Sequence, residues 1–261
     1  MKNIFLQLVC VSFLLAACNS SDDNSSDDTS DDSPTDAIAT PLSAFDEFNS
    51  EAVTISFNGD EITLESNGLP NHTSPYWQET NPLYIDKVAN NVDAQTPGRI
   101  SERSYTLTVR SAPELAASGT TTGLGAIGIA VTGVPIFNDL EGPNNSIGET
   151  ILETFDYAGA HNGPSGYHYH IESYGLPENT VLSFDDEKLV GIMSDGFLLY
   201  GRREADGSYP SDLDASGGHF GTTPHSNGVE VYHYHVINEY YFGNIVALFA
   251  GQLQGTPNAI F

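Results

Sequence analysis

Gly166-Tyr167-His168-Tyr169-His170-Ile171 and Val231-Tyr232-His233-Tyr234-His235-Val236 carry the same Tyr-His-Tyr-His run twice. Each run is followed by a β-branched residue, Ile171 or Val236, and alternates imidazole with phenol, which is the pattern of a strand with two unlike faces. Residues i and i+2 of a strand share a face, ~6.5–7 Å apart along its axis. Each His pair should therefore point one way and each Tyr pair the other. Working outward, Gly128-Ile129-Ala130-Val131-Thr132-Gly133-Val134-Pro135-Ile136-Phe137 matches Gly191-Ile192-Met193-Ser194-Asp195-Gly196-Phe197-Leu198-Leu199-Tyr200. Likewise Phe155-Asp156-Tyr157-Ala158-Gly159-Ala160-His161 matches Leu213-Asp214-Ala215-Ser216-Gly217-Gly218-His219. Three elements recurring in one order indicate an internal duplication, with copies at about residues 126–170 and 189–235.

The rest of the chain also reads as short strands. Val53–Phe57 and Ile62–Glu65 alternate around Asn58-Gly59-Asp60-Glu61, which predicts a hairpin. Tyr105–Val109 predicts another strand, Ala126–Val131 a buried one, and Ser43–Phe48 a short helix. With 25 Gly, 14 Pro and no heptads, the fold class is mainly β: β-rich, with few short helices and an internally duplicated sheet domain. Hydrophobic residues at 39% and aromatics at 10% suffice for a sizeable core. Eight Lys+Arg against 35 Asp+Glu give a net charge of −27, which a phosphate backbone would repel. Nucleic acid is thereby excluded as a partner, and cations are favoured near the surface.

Residues 1–17 predict a signal peptide. Lys2 precedes an apolar stretch from Ile4 to Ala17, shorter than the ~20 residues that span a bilayer. Its end, Leu15-Ala16-Ala17-Cys18, resembles the lipobox of bacterial lipoproteins, in which cleavage leaves the Cys lipidated and the membrane is reached through that lipid. Residues 18–36 then comprise the lipidated Cys18 and an acidic tether with seven Asp and no basic residue, too polar to order itself. Asn19 after the Cys favours the outer membrane, facing the periplasm or the cell surface. Residues 37–261 form the folded domain. Losing Cys10 and lipidating Cys18 leaves that domain without a thiol, so any metal site must use nitrogen and oxygen ligands.

The histidines supply such ligands. His-x-His on a strand offers two nitrogens to one metal, and a loop residue can add a third. His168 and His170 are preceded by His161, with Gly163, Pro164 and Gly166 between to fold the chain back; His233 and His235 are preceded by His219. His72 is a further candidate. A pseudo-twofold between the copies would bring His168, His170, His233 and His235 together, with His161, His219 or Asp195 completing one or two metal positions. Asp195 stands where the first copy has Thr132, so it is a carboxylate in one copy only and the candidate catalytic group. The competing reading has the imidazoles as satisfied partners of Asp, Tyr and backbone groups.

The doubled Tyr-His-Tyr-His, with Asn67-Gly68-Leu69-Pro70-Asn71-His72 and Gly133-Val134-Pro135-Ile136-Phe137, resembles the YHYH-domain family from about residue 53 to about 251. The resemblance implies an extracytoplasmic domain without an established activity. Its matching positions are His72, His161, His168, His170, Asp195, Gly196, His219, His233 and His235. Family members often carry Cys where this chain has Ala158 and Ser216, and Pro where it has Leu198.

Three functions follow as expectations. The first is a lipid-anchored domain binding a divalent transition metal, with Zn, Cu or Ni favoured over Fe or Mn. The second is a metal-dependent hydrolase using Asp195 and a metal-bound water. The third is a cell-surface binding module with a purely structural His/Tyr network, contacting a small molecule, a glycan or another cell-envelope ligand. The spacing His233-x-His235-x-x-x-Glu239 also fits a cupin fragment, although too little chain follows it for that fold.

Overall fold

The repeated segments become the two halves of one eight-stranded sheet. The computed structural model describes residues 39–86, 96–142, 145–173 and 185–261; the signal segment, Cys18 and the acidic tether lie outside the described residues. In the first half lie β5 (Gly128–Ala130), β6 (Pro135–Ile136), β9 (Ala160–Gly163) and β10 (Gly166–Tyr169). In the second lie β11 (Leu189–Met193), β12 (Leu198–Tyr200), β13 (Gly218–Gly221) and β14 (Val231–His235). The strand order is β13-β14-β12-β11-β5-β6-β10-β9. Both halves follow one path of pairings. A short antiparallel hairpin comes first (β5/β6, β11/β12), and its second strand then pairs parallel with the Tyr-His-Tyr-His strand (β6/β10, β12/β14). That strand pairs antiparallel with an edge strand carrying the third His (β9, β13).

The halves meet where β5 and β11 pair antiparallel, with Ile192 opposite Ile129. This junction overturns the expectation that His168, His170, His233 and His235 converge. An antiparallel pairing of like strands puts the approximate twofold between β5 and β11, and the Tyr-His-Tyr-His strands lie five strand spacings apart across it, with four strands between them. At ~4.8 Å per strand that is on the order of 24 Å along the sheet. The His-bearing hairpins are its two outer edges.

The central strands are buried on both faces, as β11 with five buried residues in a row shows. On one face Ala130, Ile136, Tyr167, Tyr169, Val190, Met193, Leu199 and Tyr234 join the larger core. On the other, Ile129, Ile192, Leu198 and Tyr200 pack against Val53, Ile62, Leu64, Leu107 and Val109. Those partners come from a three-stranded sheet of β1 (Val53–Asn58), β2 (Glu61–Ser66) and β3 (Tyr105–Arg110). The hairpin predicted at Asn58-Gly59 is β1/β2, registered from Val53↔Ser66 to Asn58↔Glu61. The strand predicted at Tyr105–Val109 is β3, and the predicted helix is a 3-10 turn over Leu42–Glu47. β4 (Leu115–Thr121) pairs with β15 (Gln252–Gly255), and β7 (Leu140–Glu141) with β8 (Asn145–Ser146). A single helical turn, α1 (Glu149–Leu152), precedes β9.

Candidate metal centres

Each edge of the sheet builds one cluster from its own half. His161 on β9 lies directly across from His168 on β10, and His219 on β13 across from His233 on β14. His170 and His235 follow two residues on, on the same faces as their neighbours. The first cluster is Glu141, His161, His168 and His170; the second is Glu204, His219, His233 and His235. Within each, the four donor atoms lie within 4.8 Å of one another. His161 Nε2 is 3.2 Å from His168 Nε2, and Glu141 Oε1 is 2.8 Å from His161 Nε2 and 2.9 Å from His170 Nε2. In the second cluster, His233 Nε2 is 3.2 Å from His219 Nε2 and 2.9 Å from His235 Nε2. Glu204 stands slightly further off, 3.4 Å from His219 and 3.7 Å from His235.

The other ring nitrogen decides what these contacts are. His168 Nδ1 is 2.8 Å from the Gly166 carbonyl and His233 Nδ1 2.9 Å from that of Val231. His170 Nδ1 is 2.6 Å from the Asn138 carbonyl and His235 Nδ1 2.7 Å from that of Gly201. A carbonyl can only accept, so these four Nδ1 atoms carry the proton. His219 Nδ1 donates to the Asp212 carboxylate at 2.9 Å. His161 Nδ1 meets Thr154 Oγ1 at 2.7 Å; that hydroxyl donates to the Ile151 carbonyl, so here too Nδ1 is the donor. In the neutral form all six imidazoles therefore aim an Nε2 lone pair into their cluster. Lone pairs 2.9–3.2 Å apart cannot hydrogen-bond to each other. In the first cluster, Glu141 Oε1 and His170 Nε2 are buried without a hydrogen-bond partner.

Protonation is a poor remedy. Burial, reinforced by His170 and His161, holds His168 well below the ordinary imidazole value. Burial also lowers His161. It takes His233 to about 3, with help from His235, and His235 itself to about 4. Burial would raise the Glu141 carboxyl, and the pull of His161 and His170 that holds it below the usual carboxylate range requires a proton on their Nε2 atoms. Burial together with Asp212 and Asp206 pushes Glu204 up despite His219. A divalent cation meets every one of these demands at once. Bound at about 2.0–2.1 Å from each donor, a tetrahedral ion sets donor–donor edges of about 3.4 Å, close to the spacings present.

Two residues named from sequence do not join either cluster. His72 lies on the tyrosine face: its Nδ1 donates to the Thr73 carbonyl at 2.9 Å, and its Nε2 accepts from Tyr169 Oη at 2.8 Å. Asp195 lies there too, 2.6 Å from Tyr234 Oη and 3.0 Å from the Gly255 amide. It stands where Thr132, its counterpart, meets Tyr169 Oη at 3.1 Å. The reason is the strand alternation itself, which sends the partners of Tyr169 and Tyr234 away from the imidazoles. Asp156 and Asp214 also serve the tyrosines, binding Tyr167 Oη at 2.5 Å and Tyr232 Oη at 2.7 Å.

Glu141 and Glu204 are the ligand-position residues that motif spacing missed. Their signal was present: the match that ends at Phe137 and Tyr200 continues at the same offset, four residues on, to Glu141 and Glu204. The carboxylate suggested by the cupin-like spacing, Glu239, is exposed and outside both clusters. The partners of the Nδ1 atoms follow the repeat too: Asn138 and Gly201, at the Phe137/Tyr200 offset, supply carbonyls, and Thr154 and Asp212, at the Phe155/Leu213 offset, receive the third His.

Beyond the donors the clusters differ. The first borders a pocket of about 520 Å³, walled by Leu124, Phe137, Leu140 and Ile151, with Glu141, His161 and His168 at its edge. The second borders a pocket of about 310 Å³ lined by Glu204, Asp206, Asp212 and His219.

Residues 104–210 match the family described as YHYH protein. The match is shorter than the resemblance over residues 53–251 and takes in the first cluster but not His219, His233 or His235. No curated protein and no solved structure matches the chain.

Proposed function

We propose that this YHYH-domain protein binds two divalent transition-metal ions, one at each edge of the eight-stranded sheet, each through three imidazole Nε2 atoms and one carboxylate. The observation that carries this reading is the commitment of all six Nδ1 protons to partners outside the clusters. It leaves six Nε2 lone pairs converging in two groups of three, with Glu141 or Glu204 beside them. A structural network would instead give each Nε2 lone pair a donor. The N₃O set suits Zn, Cu or Ni, and its carboxylate admits Fe or Mn. With Asp195 on the opposite face, a hydrolase relying on that residue loses its support. The same proposal places the domain at the outer membrane through lipid on Cys18.

Metal analysis of the full chain after equilibration with zinc and gel filtration tests the reading. Two equivalents are expected, falling to one in His170→Ala, to one in His235→Ala and to none in the double variant. A metal-free wild-type chain would falsify it.

A further inference from the structure

We propose that the first metal site, but not the second, opens onto a binding pocket for a small monocarboxylate with an apolar body, whose carboxylate binds the ion as a fifth donor beside the four from the protein. The inference rests on the metal reading above and assigns the ligand class of one of its two sites.

Charge and wall chemistry separate the sites. Among the described residues lining the 520 Å³ pocket, Glu141 alone is charged, although the chain as a whole carries −27. An ion of charge +2 held by neutral imidazoles and one carboxylate leaves +1, which a single anionic head neutralises. In a low-dielectric recess that complementarity counts for far more than at the surface. The walls then select the body. Leu124, Phe137, Leu140 and Ile151 face the space, and the Phe137 ring stacks on His168 with centroids 3.9 Å apart. The apolar surface therefore runs up to a ligating imidazole. A volume of about 520 Å³ lies in the ~300–1,000 Å³ range typical of small-molecule sites.

The second site offers the opposite environment. Glu204, Asp206 and Asp212 all line its 310 Å³ pocket, so an ion of charge +2 there leaves a net −1, which repels an anion. The counterpart of Phe137 is Tyr200, which is buried outside this pocket with its hydroxyl engaged by Thr223 and His225. The two halves thus hold matching donor sets beneath unlike mouths.

Titration of the zinc-loaded full chain with benzoate, and with acetate as a head without a body, reads this out. One benzoate is expected per two zinc ions, bound at least tenfold more tightly than acetate and lost when zinc is chelated. Leu124→Asp, at a half-exposed position on the pocket rim, should weaken benzoate at least tenfold while keeping two zinc ions. Two benzoates per chain, benzoate no tighter than acetate, binding that survives chelation, or an unchanged Leu124→Asp would each overturn the inference. Two zinc ions without any benzoate overturn it alone. A chain that takes up no zinc overturns the metal reading and this inference with it.

Discussion

At His170 and His235 a backbone carbonyl fixes the tautomer, and the tautomer fixes what the residue can do. The same logic removes His72 from the metal candidates, since both its nitrogens are engaged between Thr73 and Tyr169. Burial takes His72 to about 4 in the folded state, against 6.5 ordinarily. Between these values the unfolded chain holds the proton and the folded one does not. The contribution of His72 to stability is thus complete above pH 6.5 and is lost as pH falls toward about 4. Asp156, raised to about 6 by its burial, works in the opposite sense, so the comparison must be with a variant that keeps it. The stability difference between wild type and His72→Gln should grow by on the order of 3 kcal/mol from pH 4 to pH 7, measured by urea unfolding. A flat difference would show that the imidazole titrates normally. Tyr234→Phe probes the other face. It deprives Asp195 of a 2.6 Å donor and should cost ~1–3 kcal/mol while leaving metal uptake at the wild-type count. Reduced uptake in that variant would mean the two faces are not independent.

Between strands, the β5–β11 junction sets the spacing of everything attached to it. A Cβ on Gly191 would strike the Ile129 carbonyl oxygen and come within 2.8 Å of the Ala130 Cα, and one on Gly128 would come within 2.7 Å of the Ile192 oxygen. Backbone cannot yield as a side-chain tip can, so Gly191→Ala should destabilise by ~1–3 kcal/mol, seen as a lower urea midpoint at unchanged slope. A wild-type midpoint would mean the strands can separate there freely. At the hairpin entries, Gly159 and Gly217 adopt φ of 76° and 81°, which an L side chain resists. Each closes a turn onto Asp156 or Asp214 through its own amide, and its carbonyl receives the amide of His170 or His235. The repeat in sequence showed that both copies share this segment. It could not tell which strand of one copy would touch which strand of the other.

For the molecule as a whole, the two proposed metal sites at opposite edges should act on one cooperative fold. Ligands that bind only the folded state stabilise it by mass action, about 2.7 kcal/mol per site at a hundredfold excess over Kd. Chelation should therefore lower the melting temperature of the full chain, and zinc should restore it. The same transition with and without chelator would leave the histidines as a structural network. The N-terminal expectation is tested on the intact chain in cells. Cys18→Ser should move the protein from the membrane to the soluble fraction, whereas a variant still membrane-bound after a salt wash would rule out a lipid anchor.

Sequence alone determined the β-rich class, the two unlike faces of each Tyr-His-Tyr-His strand, and six of the eight residues in the clusters. Those are local properties: a period of two assigns faces, and a repeated His-x-His places two donors on one of them. It also held Glu141 and Glu204 at a matching offset, without a motif to draw attention to them. Only the tertiary structure decided that the halves join through β5 and β11, which separates the histidines into two distant clusters where the sequence suggested that they converge. Strand pairing between copies depends on long-range packing of Ile129, Ile192 and Leu198 against the β1–β3 sheet, and no local pattern encodes which edge is left outside. Asp195 was placed by the fold as well: alternation turns Tyr234 away from the imidazoles into the other core, where its hydroxyl meets Asp195.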